Sequence, residues 1–336
     1  MRERGSASIF SLVVLIGLCL VAGAIALRAV ELRFLLAKTE AAAEGRGRCD
    51  AKVDAWIKLY RDTAKEADSN FSVTTRDFGG DVADFSVEDI SSRINPNWLD
   101  ARFLSQPSLA SIFADGENAE SFLADRKQHG FSMDIAGRFG KFFRPEDFDR
   151  LLTSYGYADV NSSDPDSLSA LFAAMSGSTI APSAFASMAG TPSRERHPIT
   201  ITELESLAGP YFPKVFPMIA VAPPINVNFA PEQLLLAVLQ YPPFGIEDPA
   251  GLSKAIARVR ESTEIDSARL TALLGVPREN PVYLALGVRT WFWRLRISEE
   301  GLRLEAIVAR RPPAPDRELE DSSSPIMTIV GRKFTR

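Results

Sequence analysis

From Ile9 to Leu27 the chain carries no charged residue, a run close to the roughly 20 apolar positions that cross a bilayer as a helix. The helical pattern does not stop there. Val30, Leu32, Phe34, Leu35 and Leu36 stand among Glu31, Arg33 and Lys38, Ala41 to Ala43 follow, and no proline occurs before Pro96, so helix formers carry the pattern past any membrane. One helix from Ile9 to about Glu44 would be roughly 54 Å long at about 1.5 Å per residue, and its outer half has to stand in water or pack on neighbours. A cleaved secretory signal is the competing reading, because Ala22-Gly23-Ala24 fits a small-x-small cleavage site behind Arg2 and Arg4. Against it, the apolar run exceeds the usual h-region of roughly 7 to 15 residues.

Beyond Glu44, Gly45-Arg46-Gly47-Arg48 predicts a weakened helix, and a second amphipathic stretch puts Val53, Trp56, Ile57, Tyr60 and Ala64 on one face. Alternation from Phe71 to Arg76 predicts a strand, Asp77 to Gly80 a turn, and Phe85 to Ile90 a second strand. From Asn97 to about Pro281 the period becomes that of amphipathic helices broken by Pro and Gly, including Ser167 to Met175 and Pro231 to Leu239, with no strand expected. Strand periodicity returns from Val288 to Ile297, turns at Glu299-Glu300-Gly301 and continues through Leu302, Leu304, Ala306 and Val308, which is a hairpin. Arg311 to Pro325 reads as a polar loop, and Ile326 to Val330 as an added edge strand.

Sheet strands separated by so many residues must still pair with one another. The pattern therefore predicts an α+β protein with a long N-terminal transmembrane helix and a helix-plus-antiparallel-sheet unit into which a large all-α domain is inserted. The expected organisation is a leader at 1–5, membrane helix and stem at 6–70, the first part of the sheet domain at 71–97, the inserted helical domain at 98–280 and the rest of the sheet domain at 281–336.

Composition narrows the function classes. With 336 residues, 46% hydrophobic and 24% charged, the chain is neither disordered throughout nor polytopic. A net charge of -5 argues against nucleic acid as the main partner, since phosphate binding needs a local excess of Lys and Arg. Cys19 lies inside the apolar run and Cys49 beyond it, so the two make no disulfide framework, and two histidines, His129 and His197, give a zinc site little to build on. No P-loop, His-Glu-x-x-His helix or Gly-x-Ser-x-Gly turn occurs, and no carboxylate pair stands out, so an enzyme is not expected.

Immediately before the apolar run stands Arg4-Gly5-Ser6, a charged leader ending in glycine. It resembles the class III signal of prepilins, in which a membrane peptidase cuts after the glycine. Cleavage between Gly5 and Ser6 would make Phe10 the fifth mature residue, where major pilins and most pseudopilins carry a glutamate. A carboxylate at that depth is costly unless paired, and in the family it is thought to meet the amine of the subunit ahead. A subunit with none ahead has no use for it. An Ile-Asn-x-Asn element occurs twice, in Arg93-Ile94-Asn95-Pro96-Asn97 and Pro224-Ile225-Asn226-Val227-Asn228. Asn95, Asn97, Asn226 and Asn228 read as structural residues of turns and caps.

With Gly5, Phe10, the helix and glycine stop at Thr202 to Gly209 and the terminal hairpin, this pair resembles general secretion pathway protein K, a minor pseudopilin of type II secretion systems. The resemblance spans nearly the whole chain, and Pro96, Trp98 and Phe229 depart from its pattern. It implies a place at the tip of the periplasmic pseudopilus, supporting protein export across the outer membrane. It further implies a single-pass bacterial inner-membrane protein, held through Ile9 to Leu27, with its soluble part in the periplasm. Its partners would be other minor pseudopilins, the secretion apparatus and a prepilin peptidase, with no nucleic acid and no required cofactor.

Some family members bind calcium in their helical domain, and Asn161, Asp164 and Asp166 offer oxygen ligands for it. The same residues also read as a helix start, with Asp164 as N-cap before Pro165, and both readings stay open. The alternative to a pseudopilin is a membrane-tethered helix-hairpin-helix DNA-binding protein for DNA uptake, which Ile225 to Arg260 resembles. There, Glu232, Glu247, Asp248 and Glu261 roughly offset Lys254, Arg258 and Arg260, leaving no basic surface for phosphates.

Overall fold

The computed structural model describes residues 3–63, 84–97, 101–155 apart from 131 and 133, the pairs 158–159 and 219–220, 168 and 171–173, 201–211, 225–299, 301–310 and 327–335. Of residues 3–26 the backbone alone is described. The strand and turn expected from Phe71 to Gly80, the loop from Arg311 to Pro325, and most of the helix expected at Ser167 to Met175 lie outside the described residues.

Helix α1 runs without a break through Glu3–Thr63, 61 residues, or about 92 Å at about 1.5 Å per residue. The weakening expected at Gly45 to Arg48 does not occur. Each glycine costs a helix roughly 1 kcal/mol relative to alanine, but tertiary packing outweighs it. Cys49, Val53, Trp56, Ile57 and Tyr60, which share one face of the helix, are buried against the sheet, and buried Gly45 brings the helix close to Leu302. Among the described residues no helix is long and apolar enough to cross a membrane. The run from Ile9 to Leu27 falls almost wholly in the part of α1 described by backbone alone.

The four-stranded sheet contains β1 (Phe85–Asp89), β6 (Phe292–Glu299), β7 (Leu302–Arg310) and β8 (Met327–Thr335), in that spatial order and antiparallel throughout. The expected hairpin is present, with Gly301 at φ 81° in its turn, a conformation glycine adopts without a Cβ clash. β6 begins at Phe292 rather than Val288, and β8 runs to Thr335 rather than stopping at Val330. That longer edge strand includes Gly331, where a Cβ would approach the Tyr155 hydroxyl at 3.0 Å, and it faces an irregularity between Ile307 and Val308. Trp293, Leu295, Ile297, Leu302, Leu304, Ala306 and Val308 join Phe85 and α1 in one core.

Among the described residues between β1 and β6 in the chain, helices predominate: α2 (Ala101–Leu104), α3 (Ala119–His129), α4 (Ile135–Phe139), α5 (Pro145–Leu151), α6 (Ile201–Ala208), α7 (Glu232–Leu239), α8 (Pro249–Ser262), α9 (Ser267–Leu274) and α10 (Val282–Ala285). Strands do occur there, contrary to expectation. β2 (Ala158–Asp159) pairs with β3 (Ile219–Ala220), and β4 (Ile225–Asn226) pairs with β5 (Leu286–Gly287), both parallel. Two-residue strands carry no readable alternation, which is why the pattern missed them. A second core, from Ile94 to Val288, fills the helical region. The molecule is thus α+β, a helix on an antiparallel sheet with helices between two strands that lie side by side.

Candidate functional site

Helix α1 has two unlike halves. From Cys49 to Tyr60 its apolar face is buried, whereas Leu27, Val30, Leu32, Phe34, Leu35 and Leu36 are 55% to 69% exposed. These six side chains, interleaved with the exposed Arg28–Glu31 pair at 3.3 Å, form an apolar surface that nothing in the chain covers among the described residues. Burying such a side chain is worth about 1.5–3 kcal/mol, so the surface is suited to another helix or to lipid. Gly5, Ser6 and Phe10 lie in the first turns of α1, where the backbone alone is described.

The buried half is fastened to the sheet by an aromatic cluster. Trp56 stacks on Tyr60 with centroids 5.5 Å apart, and both meet Trp293 edge-on, at 5.5 and 4.9 Å. Buried Arg310 lies over Tyr60, Trp291 and Trp293 at 5.3 to 5.6 Å, a desolvated cation against three ring faces. At the rim, Lys52 and Arg48 meet Glu299, Arg332 pairs with Asp50 at 3.3 Å, and Arg46 covers Phe334.

The two Ile-Asn-x-Asn elements adopt one geometry. In each, the first asparagine turns back on the chain: Asn95 Oδ1 accepts from Asn97 N at 3.1 Å, and Asn226 Oδ1 from Asn228 N at 3.0 Å. The second asparagine clasps a distant backbone through both ends of its amide. Asn97 bonds the N–H and C=O of Ser132 at 2.8 and 2.9 Å, and Asn228 those of Ile265 at 3.0 Å each. An arginine completes each turn, Arg126 donating to Pro96 O at 2.8 Å and Arg260 to Val227 O at 3.1 Å. Even the flanking isoleucines match, Ile94 bridging Leu152 and Ile225 bridging Leu286, both in parallel sense. Backbone groups in turns need partners when buried, and these asparagines supply them.

Sequence reasoning singled out the asparagines but not their partners Ser132, Ile265, Arg126 and Arg260. The readable signal was the parallel spacing: Ser132 follows Asn97 by 35 residues, and Ile265 follows Asn228 by 37.

The second element reaches the sheet as well. Asn226 Nδ2 donates to Thr290 Oγ1 at 3.1 Å, Ser92 Oγ donates to Asn226 O at 3.2 Å, and Thr290 Oγ1 donates to Asp89 Oδ2 at the end of β1. Asp89 also accepts from Ser92 N at 2.8 Å and from Ser91 Oγ at 3.2 Å. Desolvation, opposed by the bonds from Thr290, Ser92 and Ser91, pushes its carboxyl up to about 6.

For a metal the described residues offer no group of three or more His, Cys, Asp or Glu. Asn161, Asp164 and Asp166 lie outside them, as does His197, while His129 sits beside Asp125 one turn earlier on α3. Cys49 is a free thiol inside the core, its pKa raised chiefly by burial.

No protein-family model matches this sequence, and no curated protein matches it.

Proposed function

We propose that this chain is a minor pseudopilin of the general secretion pathway protein K kind, a non-catalytic subunit at the tip of a type II secretion pseudopilus. In this reading Ile9 to Leu27 holds the inner membrane, a prepilin peptidase cuts between Gly5 and Ser6, and the soluble part stands in the periplasm. The helical region, 98–280, then caps the filament.

The observation that carries the reading is the apolar surface from Leu27 to Leu36. It belongs to the same helix that packs on an antiparallel sheet, and it begins where the membrane run ends. In water it is a liability. Against the stems of other minor pseudopilins it becomes a packing face. Phe10 in place of a glutamate favours the tip, because a subunit placed above would find no carboxylate for its buried amine.

A photo-crosslinking amino acid placed at Leu36 and activated in cells tests the tip position. Crosslinks to different, smaller subunits fit the proposal. A ladder of this chain with itself would instead place it in the shaft and overturn it. The proposal extends to calcium, held through Asn161, Asp164 and Asp166, and calcium titration of the full chain tests it.

The DNA-uptake alternative has one feature in its favour. Gly245, at φ 62°, closes a short hairpin between α7 and α8. At the start of α8, however, Asp248 Oδ1 accepts from Gly251 N at 2.8 Å, so a carboxylate occupies the helix end that would otherwise attract a phosphate. Salt-dependent retention of DNA by the full chain would favour that reading over the pseudopilin.

A further inference from the structure

We propose that the exposed stem carries two separate seams on opposite sides of α1, each taking one helix of another subunit, so that two neighbours flank the sheet. The inference rests on the pseudopilin reading only for what those subunits are. Its basis is spacing. Leu27, Val30, Phe34, Ala37 and Ala41 follow one another at intervals of three and four residues in turn. Leu32, Leu36, Thr39 and Ala43 do the same on a second line, with Leu35 at its border. All of these side chains are exposed, and the large ones are at least 55% so. Intervals that alternate between three and four are those of a seam facing one other helix.

At about 100° per residue the two lines lie about 170° apart around the helix axis. Because α1 continues without a break to Thr63, the same rotation places them relative to the sheet. Cys49, Val53, Trp56, Ile57 and Tyr60 face the sheet, and the seams stand about a quarter turn to either side of that direction. At the C-terminal end of each line the residues become small, Ala37 and Ala41 on one, Thr39 and Ala43 on the other, which lets a neighbouring helix come close.

Charged residues separate the seams on both sides. Arg28, Glu31 and Lys38 lie on the side that continues the sheet-facing line, and Arg33, Glu40 and Glu44 on the far side. Lipid does not suit this pattern, since both charged rows would have to enter hydrocarbon. One broad partner does not suit it either, because it would have to cover a charged row, including the exposed Arg28–Glu31 pair at 3.3 Å, to reach from one seam to the other. Two helices, one against each seam, leave both rows in water.

Photo-crosslinking amino acids placed singly at Val30, Leu32, Phe34 and Leu36 of the full chain and activated in cells test it, with each product mapped to the partner residue by mass spectrometry. All four positions are exposed, so the replacements leave the core intact, and the helix with its side chains is about 10–12 Å across, wide enough to keep the two seams apart. Val30 and Phe34 should give one partner peptide and Leu32 and Leu36 a different one, so that the partner alternates every two residues. Phe34→Asp should abolish the Val30 product. The same partner peptide from all four positions, protein products from one pair alone, products of this chain with itself, or a Val30 product that survives Phe34→Asp would overturn the two seams. Alternating products with helices of chains that lack an apolar N-terminal run would keep the seams and remove the pseudopilin reading, so the two failures are distinguishable.

Discussion

The two halves of α1 are built from similar residues and meet opposite fates. Leu27 to Leu36 and Cys49 to Tyr60 are both rich in large apolar side chains, on one unbroken helix, yet the first set is mostly exposed and the second almost wholly buried. Hydrophobicity alone does not decide where a side chain ends up. The buried set has a sheet of matching length to pack on, whereas the exposed set lies beyond the sheet's reach. Helical stability in proteins comes mainly from such packing, so the helix survives Gly45 and Gly47 because the buried half anchors it. Its exposed half is then available for a partner outside the chain.

The largest effect that sharpens this contrast is expected at Trp56. Its ring is fully buried and meets Tyr60 and Trp293. Trp56→Ala should cost about 3–5 kcal/mol, the range for emptying an aromatic site in a core. Chemical denaturation of the full chain in detergent reads it. A loss below about 1 kcal/mol would mean that the helix is not held by this cluster, and the contrast between halves would fail.

The glycines offer a finer comparison within two residues of helix. Gly45 is buried, and a Cβ there would lie 3.6 Å from Leu302 Cδ2, while a Cβ on Gly47 would meet nothing within 4 Å. Gly45→Leu should therefore overpack the helix–sheet contact and cost about 1–3 kcal/mol. Gly47→Ala should do the opposite, stabilising by roughly 0.5–1 kcal/mol through restored helix propensity. Thermal unfolding of the two variants side by side checks the signs, and equal shifts would show that α1 does not rest on Leu302 at this point.

Much of this was legible in the chain. The hairpin and β1 showed because alternation of period two survives wherever one sheet face is buried, as at Leu302, Leu304, Ala306 and Val308. The continuity of α1 did not show, because glycine propensity is local and the packing that overrides it comes from strands some 250 residues later, as the Tyr60–Arg310 contact illustrates. The asparagine clasps were half legible. Their acceptor turns follow from Asn at the second and fourth positions of the element, but a backbone partner such as that of Ile265 leaves no mark on residue identity. The hydrogen-bond network at Asp89 was hidden for a related reason. Its partner Thr290 stands 201 residues away, and a lone aspartate at a strand end looks the same in sequence whether it faces water or three donors.

The smallest expected effect on folding is also the one that bears most on function. Phe34 is 69% exposed on the stem, so Phe34→Ser removes little buried area and should change stability by no more than about 0.5 kcal/mol, as for surface substitutions generally. If the stem packs against neighbouring subunits, the same change removes an apolar contact worth about 1.5–3 kcal/mol when buried. Assembly should then weaken while the isolated chain melts as before. The measurement is therefore paired: a melting curve on the purified full chain, and copurification of smaller subunits with it from cells. An unchanged melt with lost copurification assigns the exposed half of α1 to a partner. An unchanged melt with full copurification would leave Phe34 facing lipid or water, and the stem would have to engage its neighbours through another face. Trp56→Ala supplies the opposite pattern, losing both together, so the two substitutions separate a helix half that folds the chain from one that joins it to others.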